Sequence, residues 1–178
     1  QTCALPICIE VREANEEVVP PPIRFGGNIT WLGYVPVDDA TYTAGENVEI
    51  INYWRVEGVV PSDLTLFHHV LSDPVTVVDN RDEIRVNPRQ LQERDVFIQI
   101  TDVPLSPTLS TGEYVLSIGT YQRTSQERLD VFDGETTRGD RLFLYGIQVD
   151  ALEPVEPETT TPDAPDADGT DNTDEQGD

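Results

Sequence analysis

The chain has 178 residues, enough for one domain with a core of ordinary size and flanking tails. It carries 34 acidic residues against 11 basic ones, a formal net charge of −23, and every basic residue is Arg. That surface repels phosphates and argues against nucleic acid as a partner, and no apolar run reaches the roughly 18 residues that a bilayer-spanning helix needs.

Gln1 to Ile7 (QTCALPI) resemble the in-frame translation of a common sequencing adapter, and the chain contains no Met. Residues 1 to 8 are therefore read as an artefact at a contig end, with the natural N-terminus upstream. On this reading Cys3 and Cys8 say nothing about redox compartment, and two thiols alone make an incomplete zinc site. No metal or cofactor is expected. Residues 9 to 22 follow as an acidic linker that ends in three prolines, which hold an extended, semi-rigid segment.

From residue 23 to 150 the hydrophobic period is that of strands. The first runs from Ile29 to Val35. Asn47 to Glu57 puts Val48, Ile50, Trp54 and Val56 on one face with Asn52, and Glu49, Tyr53, Arg55 and Glu57 on the other with Ile51; the first face is assigned to the core. Leu64 to Leu71 and Val75 to Asp79 come next. Val96 to Thr101 separates Val96, Ile98 and Ile100 from Phe97, Gln99 and Thr101, and Tyr114 to Tyr121 groups Tyr114, Leu116 and Ile118. The last strand groups Phe143, Tyr145, Ile147 and Val149. Turn residues at Ala44 to Asn47, Ser72 to Pro74, Ser110 to Gly112 and Asp133-Gly134 separate these runs. Seven or more strands without a convincing amphipathic helix predict an all-β fold, an immunoglobulin-like antiparallel β-sandwich, with a closed barrel as the alternative. Gly112 followed by Tyr114 at a strand start also matches a tyrosine corner, in which the phenol returns to upstream backbone.

Trp31 to Tyr34 (WLGY), the turn YTAGENVEI leading into NYW (Tyr42 to Trp54), LTLFHHVL (Leu64 to Leu71), the paired turn NRD (Asn80 to Asp82), TGEYVLSIGTYQRTSQERL (Thr111 to Leu129) and GDRLFLYGIQV (Gly139 to Val149) occur in that order. Together they resemble the C-terminal extracytoplasmic β-sandwich domain of bacterial multi-pass membrane glycosyltransferases related to protein mannosyltransferases. The resemblance covers about residues 28 to 149. It implies an accessory domain that follows a membrane-embedded catalytic region using a sugar donor carried on polyprenyl phosphate. It implies further an extracytoplasmic location, tethered to the membrane through an upstream region. One departure stands out: such domains often carry a Gly-Tyr-Pro-Thr loop with a following Trp, and Ile84 to Glu93 (IRVNPRQLQE) lacks both.

Residues 151 to 178 hold ten Asp or Glu, no basic residue and four Pro, so they are expected to form a disordered acidic tail. DADGTDNTDE (Asp166 to Glu175) has Asp and Asn at calcium-loop intervals, but its Gly falls at the fourth position where an EF-hand needs it at the sixth. Asn28-Ile29-Thr30 satisfies the N-glycosylation pattern.

Chemistry-bearing residues are sparse. His68 and His69 are strand neighbours, so they point to opposite faces and do not chelate one ion together. No Gly-x-Ser-x-Gly elbow exists, and no catalytic residue is assigned. The candidate ligand-contacting residues are aromatics, because sugars stack on exposed rings: Tyr53, Tyr121, Trp31 and Tyr34. The sequence thus reads as a non-catalytic accessory domain that acts as a scaffold or contacts a glycan, a protein or the upstream membrane region, and the chain itself is expected to be a monomer with no membrane insertion. A free-standing secreted or surface-anchored binding module is the alternative, and a hydrolase using surface carboxylates ranks third.

Overall fold

A computed structural model describes residues 21–153 together with the strand pieces Val11–Arg12 and Val18–Val19. The expectations for residues 1 to 8 and for the calcium-like loop, and nearly all of the acidic tail, lie outside the described residues. In chain order the strands are β1 (Val11–Arg12), β2 (Val18–Val19), β3 (Ile23–Phe25), β4 (Ile29–Tyr34), β5 (Thr41–Thr43), β6 (Asn47–Val56), β7 (Leu64–Leu71), β8 (Val77–Asp82), β9 (Val96–Pro104), β10 (Gly112–Gln122), β11 (Glu127–Leu129), β12 (Val131–Asp133), β13 (Thr136–Thr137) and β14 (Leu142–Asp150).

Two sheets form. One has the order β2-β1-β14-β10-β7-β8, with β11 extending β10 and β5 running parallel to β14; the other has the order β13-β12-β3-β4-β6-β9. They pack face to face around a single apolar cluster that joins Trp31, Ile50 and Trp54 of the second sheet to Leu66, Leu116, Ile118 and Leu144 of the first. This is an immunoglobulin-like β-sandwich, and its separate sheet edges set aside the closed barrel. The segment read as a linker contributes β1 and β2, which pair with each other and, through Arg12, with Phe143 of β14. Two-residue strands are too short to show an alternation in sequence.

The core strand β6 follows its predicted phase, with Val48, Ile50, Asn52, Trp54 and Val56 all buried. Trp54 meets Phe25 edge-on at 5.1 Å and stacks on Phe97 at 6.5 Å. The tyrosine corner is present: the Tyr114 hydroxyl donates to the Ser110 carbonyl at 3.0 Å.

Three expectations are corrected. In β14 the buried set is Leu142, Leu144, Ile147 and Val149, while Phe143 and Tyr145 are only partly buried. A β-bulge, where the register against β10 shifts between Val115 and Ser117, inserts one residue and inverts the parity of Phe143 and Tyr145. The strand expected from Val75 begins at Val77, because the Asp73 carboxylate accepts the amides of both Val75 and Thr76 at 2.9 Å and keeps them in the turn. Asn80 to Asp82 is the end of that strand and pairs with β7, so it is not a turn.

β7 is buried along its whole length. Its outer face is closed partly by Phe67, which lies opposite Gly119 of β10. A Cβ at Gly119 would enter the Phe67 ring and stand 2.7 Å from the Asp140 backbone oxygen. Gly119→Ala is therefore expected to cost about 1–3 kcal/mol through overpacking. An unchanged urea midpoint would show that the ring has room to move aside.

Candidate functional site

Strand alternation distributes the polar groups of β7 between two environments. Inward, His68 reaches the centre of the sandwich, where its Nε2 lies 3.1 Å from the Asn52 side-chain nitrogen; the Asn52 oxygen accepts the Trp31 indole N–H at 3.0 Å. An amide nitrogen is a donor only, so this geometry requires His68 to be the neutral tautomer with Nε2 as acceptor. Burial pushes its pKa down to about 4, against a smaller upward pull from the Arg81 backbone and Asp82. A second buried polar pair lies on β9, where the Gln99 amide donates to Thr101 Oγ1 at 2.9 Å and its oxygen accepts the Arg85 amide at 2.9 Å.

Outward, Phe67 and His69 stack with ring centroids 4.5 Å apart. The antiparallel neighbour β8 places Asp82 opposite Phe67, so its carboxylate reaches diagonally to His69 Nε2 at 3.5 Å. On the other side β10 supplies Tyr121, and the hairpin into β11 pairs Arg128 with it. These residues and Gln126 line a cleft of about 100 Å³. The Arg128 guanidinium lies 4.8 Å over the Phe67 ring and is held by Asp140 at 3.0 Å.

Burial alone would raise the Asp82 pKa, but hydrogen bonds from His69 and Tyr121 together with the charge of His69 outweigh it and hold the carboxyl below its ordinary value. The Tyr121 hydroxyl shifts upward, through burial first and then the Asp82 charge. Asp82 is thus an ionised acceptor, unsuited to general-acid chemistry near neutral pH. Ser117 stands opposite His69 across the β7–β10 ladder. Neither Ser117 Oγ nor His69 Nδ1 has a hydrogen-bond partner, so the two are not joined and Ser117 is not activated as a nucleophile. Among the described residues no third His, Cys, Asp or Glu joins His69 and Asp82 to hold a metal. The cleft brings together a phenol hydroxyl, a carboxylate acceptor and a fixed guanidinium donor within one small, mainly polar concavity.

Of the aromatics selected from sequence, Tyr121 alone lines this cleft. Trp31 and Tyr34 are buried, Trp31 by its bond to Asn52 and Tyr34 by stacking between Trp31 at 6.1 Å and Tyr145 at 5.1 Å. Neither offers a face to a ligand. Tyr53 is half-buried on the outer face of the other sheet, between Gly33 and Ile98, so the structure keeps it apart from Tyr121. His69, Asp82 and Arg128 were missed, because they meet only through the long-range register of β7 with β8 and β10. The glycosylation pattern also changes meaning: Asn28 adopts φ +57° in a turn and its side-chain amide donates to the Val59 carbonyl at 2.7 Å.

No protein-family model matches the chain, and no curated protein matches it. Among solved structures it is similar to the CARDB domain of a Pyrococcus furiosus protein, determined in complex with di-metal ions. The identity is 10% and the TM-score 0.38, over 74% of this chain and 96% of that one.

Proposed function

We propose that this chain is a non-catalytic accessory domain that contacts glycan through the cleft at Tyr121, as the C-terminal extracytoplasmic part of a membrane glycosyltransferase. The cleft is the observation that carries the first half of this reading. The surface it presents is mainly polar: Asp82 accepts from sugar hydroxyls and Arg128 donates to them, with the Tyr121 hydroxyl beside Asp82. A volume of about 100 Å³ admits one edge of a sugar ring rather than an oligosaccharide. The second half rests on the ordered motifs from Trp31 to Val149, which point to mannose as the sugar to test.

Tyr121→Ala is expected to weaken binding of an α-linked mannose oligosaccharide about tenfold, the equivalent of about 1.4 kcal/mol, as read by titration calorimetry. Equal affinity in the two proteins would remove the cleft from the account. Parentage is tested separately by a longer read of the same gene. Hydrophobic spans of about 20 residues upstream of Glu10 support the transferase. A cleavable signal peptide running straight into the domain would instead make it a free-standing binding module.

A further inference from the structure

We infer that β9 is a self-association edge, along which a second copy of this chain pairs antiparallel about Ile98. β9 ends its sheet, with β6 on one side and no strand on the other. The hydrogen-bond phase of the β6–β9 ladder is fixed at both ends: the Val56 amide donates to the Asp95 carbonyl and the Leu105 amide to the Glu46 carbonyl, each at 2.8 Å. Antiparallel alternation then gives Phe97, Gln99, Thr101 and Val103 to β6 and turns the N–H and C=O groups of Val96, Ile98, Ile100 and Asp102 to the open edge. Among the described residues, no loop backbone bonds to those groups. The Ile100 carbonyl takes one long contact, 3.4 Å, from the Gln99 side chain.

Three of these four residues are apolar where solvent meets them, and the fourth, Asp102, ends the row with a carboxylate. Val96, Ile98 and Ile100 are 59%, 52% and 37% exposed, whereas their polar neighbours Gln99 and Thr101 are buried. Edge strands normally carry Lys, Pro or a bulge that prevents further pairing. Here Val96 to Val103 has no Lys, Pro or bulge and a single charge, Asp102, near its end, and Pro appears only at residue 104. The segment after β8 touches this strand at one residue, Arg85, whose amide donates to Gln99 on the inner face and whose guanidinium lies 3.5 Å from Asp102 on the outer face, so the edge is free from Val96 to Ile98 and passed by one side chain beyond.

A second copy fits this edge better than an arbitrary strand because the sequence is self-complementary about one residue. Centred on Ile98, antiparallel pairing sets Ile98 against Ile98 and Val96 against Ile100 of the other copy. Moving the centre by one residue toward the C-terminal end sets Val96 against Asp102, whereas Arg94, at φ +75° before the strand begins, lies outside the ladder. The contact is two-fold and isologous, so it closes at a dimer. It would join the two sheets into one and continue the apolar row onto Tyr53 and Ile51 of each copy, which lie beside Ile98 and Ile100. The sequence reading expects a monomer, and sedimentation decides between the two.

Sedimentation velocity over a concentration series tests the inference, run at high salt to screen the repulsion between two chains of charge −23 each. A monomer–dimer equilibrium is expected, with Ile98→Lys weakening it about tenfold or more. Ile98 is half exposed, and circular dichroism checks that the variant stays folded. Val96→Lys and Ile100→Glu should each weaken the dimer, and the two together should restore it, since the stated register sets one against the other across the two-fold. A monomer at every concentration, or a dimer that Ile98→Lys leaves intact, would overturn the inference.

Discussion

Trp54→Ala is expected to lower the unfolding free energy by about 3–5 kcal/mol, the range for large-to-small changes of a fully buried indole. The ring is enclosed on both sides, edge-on by Phe25 at 5.1 Å and stacked by Phe97 at 6.5 Å. It also lies opposite Trp31, so the cavity is bounded by two aromatic strands that cannot collapse without moving the β4–β6 ladder. Urea denaturation measures the loss. A midpoint close to wild type would mean that the indole is not enclosed and that the register of β6 is wrong.

The second large effect is on pH. His68 has a folded pKa of about 4 against an ordinary value of 6.5, so between these values the unfolded chain binds a proton that the folded chain refuses. Stability therefore rises with pH across this window: the contribution is fully present above pH 6.5 and is lost as pH falls toward 4. The full gap corresponds to about 3 kcal/mol. Protonation also turns Nε2 into a donor aimed at the donor nitrogen of Asn52, whose oxygen is already committed to Trp31. The depressed carboxyls Asp82 and Asp140 act in the same direction but at lower pH, since their stabilising charge is lost only as pH falls through values below the ordinary 3.8. Unfolding free energies of wild type and His68→Gln, compared from pH 7 to 4, isolate the histidine. The wild-type curve should fall more steeply between pH 6.5 and 4, and parallel curves would contradict a neutral buried His68.

Long alternating strands were legible in the sequence. β6 shows five inward positions in ten residues, and Tyr114 declares its corner by the Gly two residues before it. What the sequence hid has three physical origins. A single inserted residue in β14 inverts the parity of Phe143 and Tyr145, and nothing local marks it. Gln99 and Thr101 take the inward side of β9 while Val96, Ile98 and Ile100 face solvent, because the two polar groups satisfy each other and the Arg85 amide. The cleft is assembled from residues as far apart in sequence as Phe67 and Arg128, so no local spacing encodes it. Trp31 illustrates the limit from the other side: an aromatic near a strand entry looks available to a ligand until its N–H is seen to bond Asn52 in the core.

The Tyr121 cleft is proposed to bind sugar without transforming it. Amide and side-chain NMR of the labelled chain during titration with an α-linked mannose oligosaccharide tests both parts in one sample. The expected result is shifts concentrated at His69, Asp82, Tyr121, Gln126 and Arg128, with the oligosaccharide signals unchanged after prolonged incubation. Shifts centred on Tyr53, no shifts at saturating sugar, or the appearance of free mannose would contradict the account.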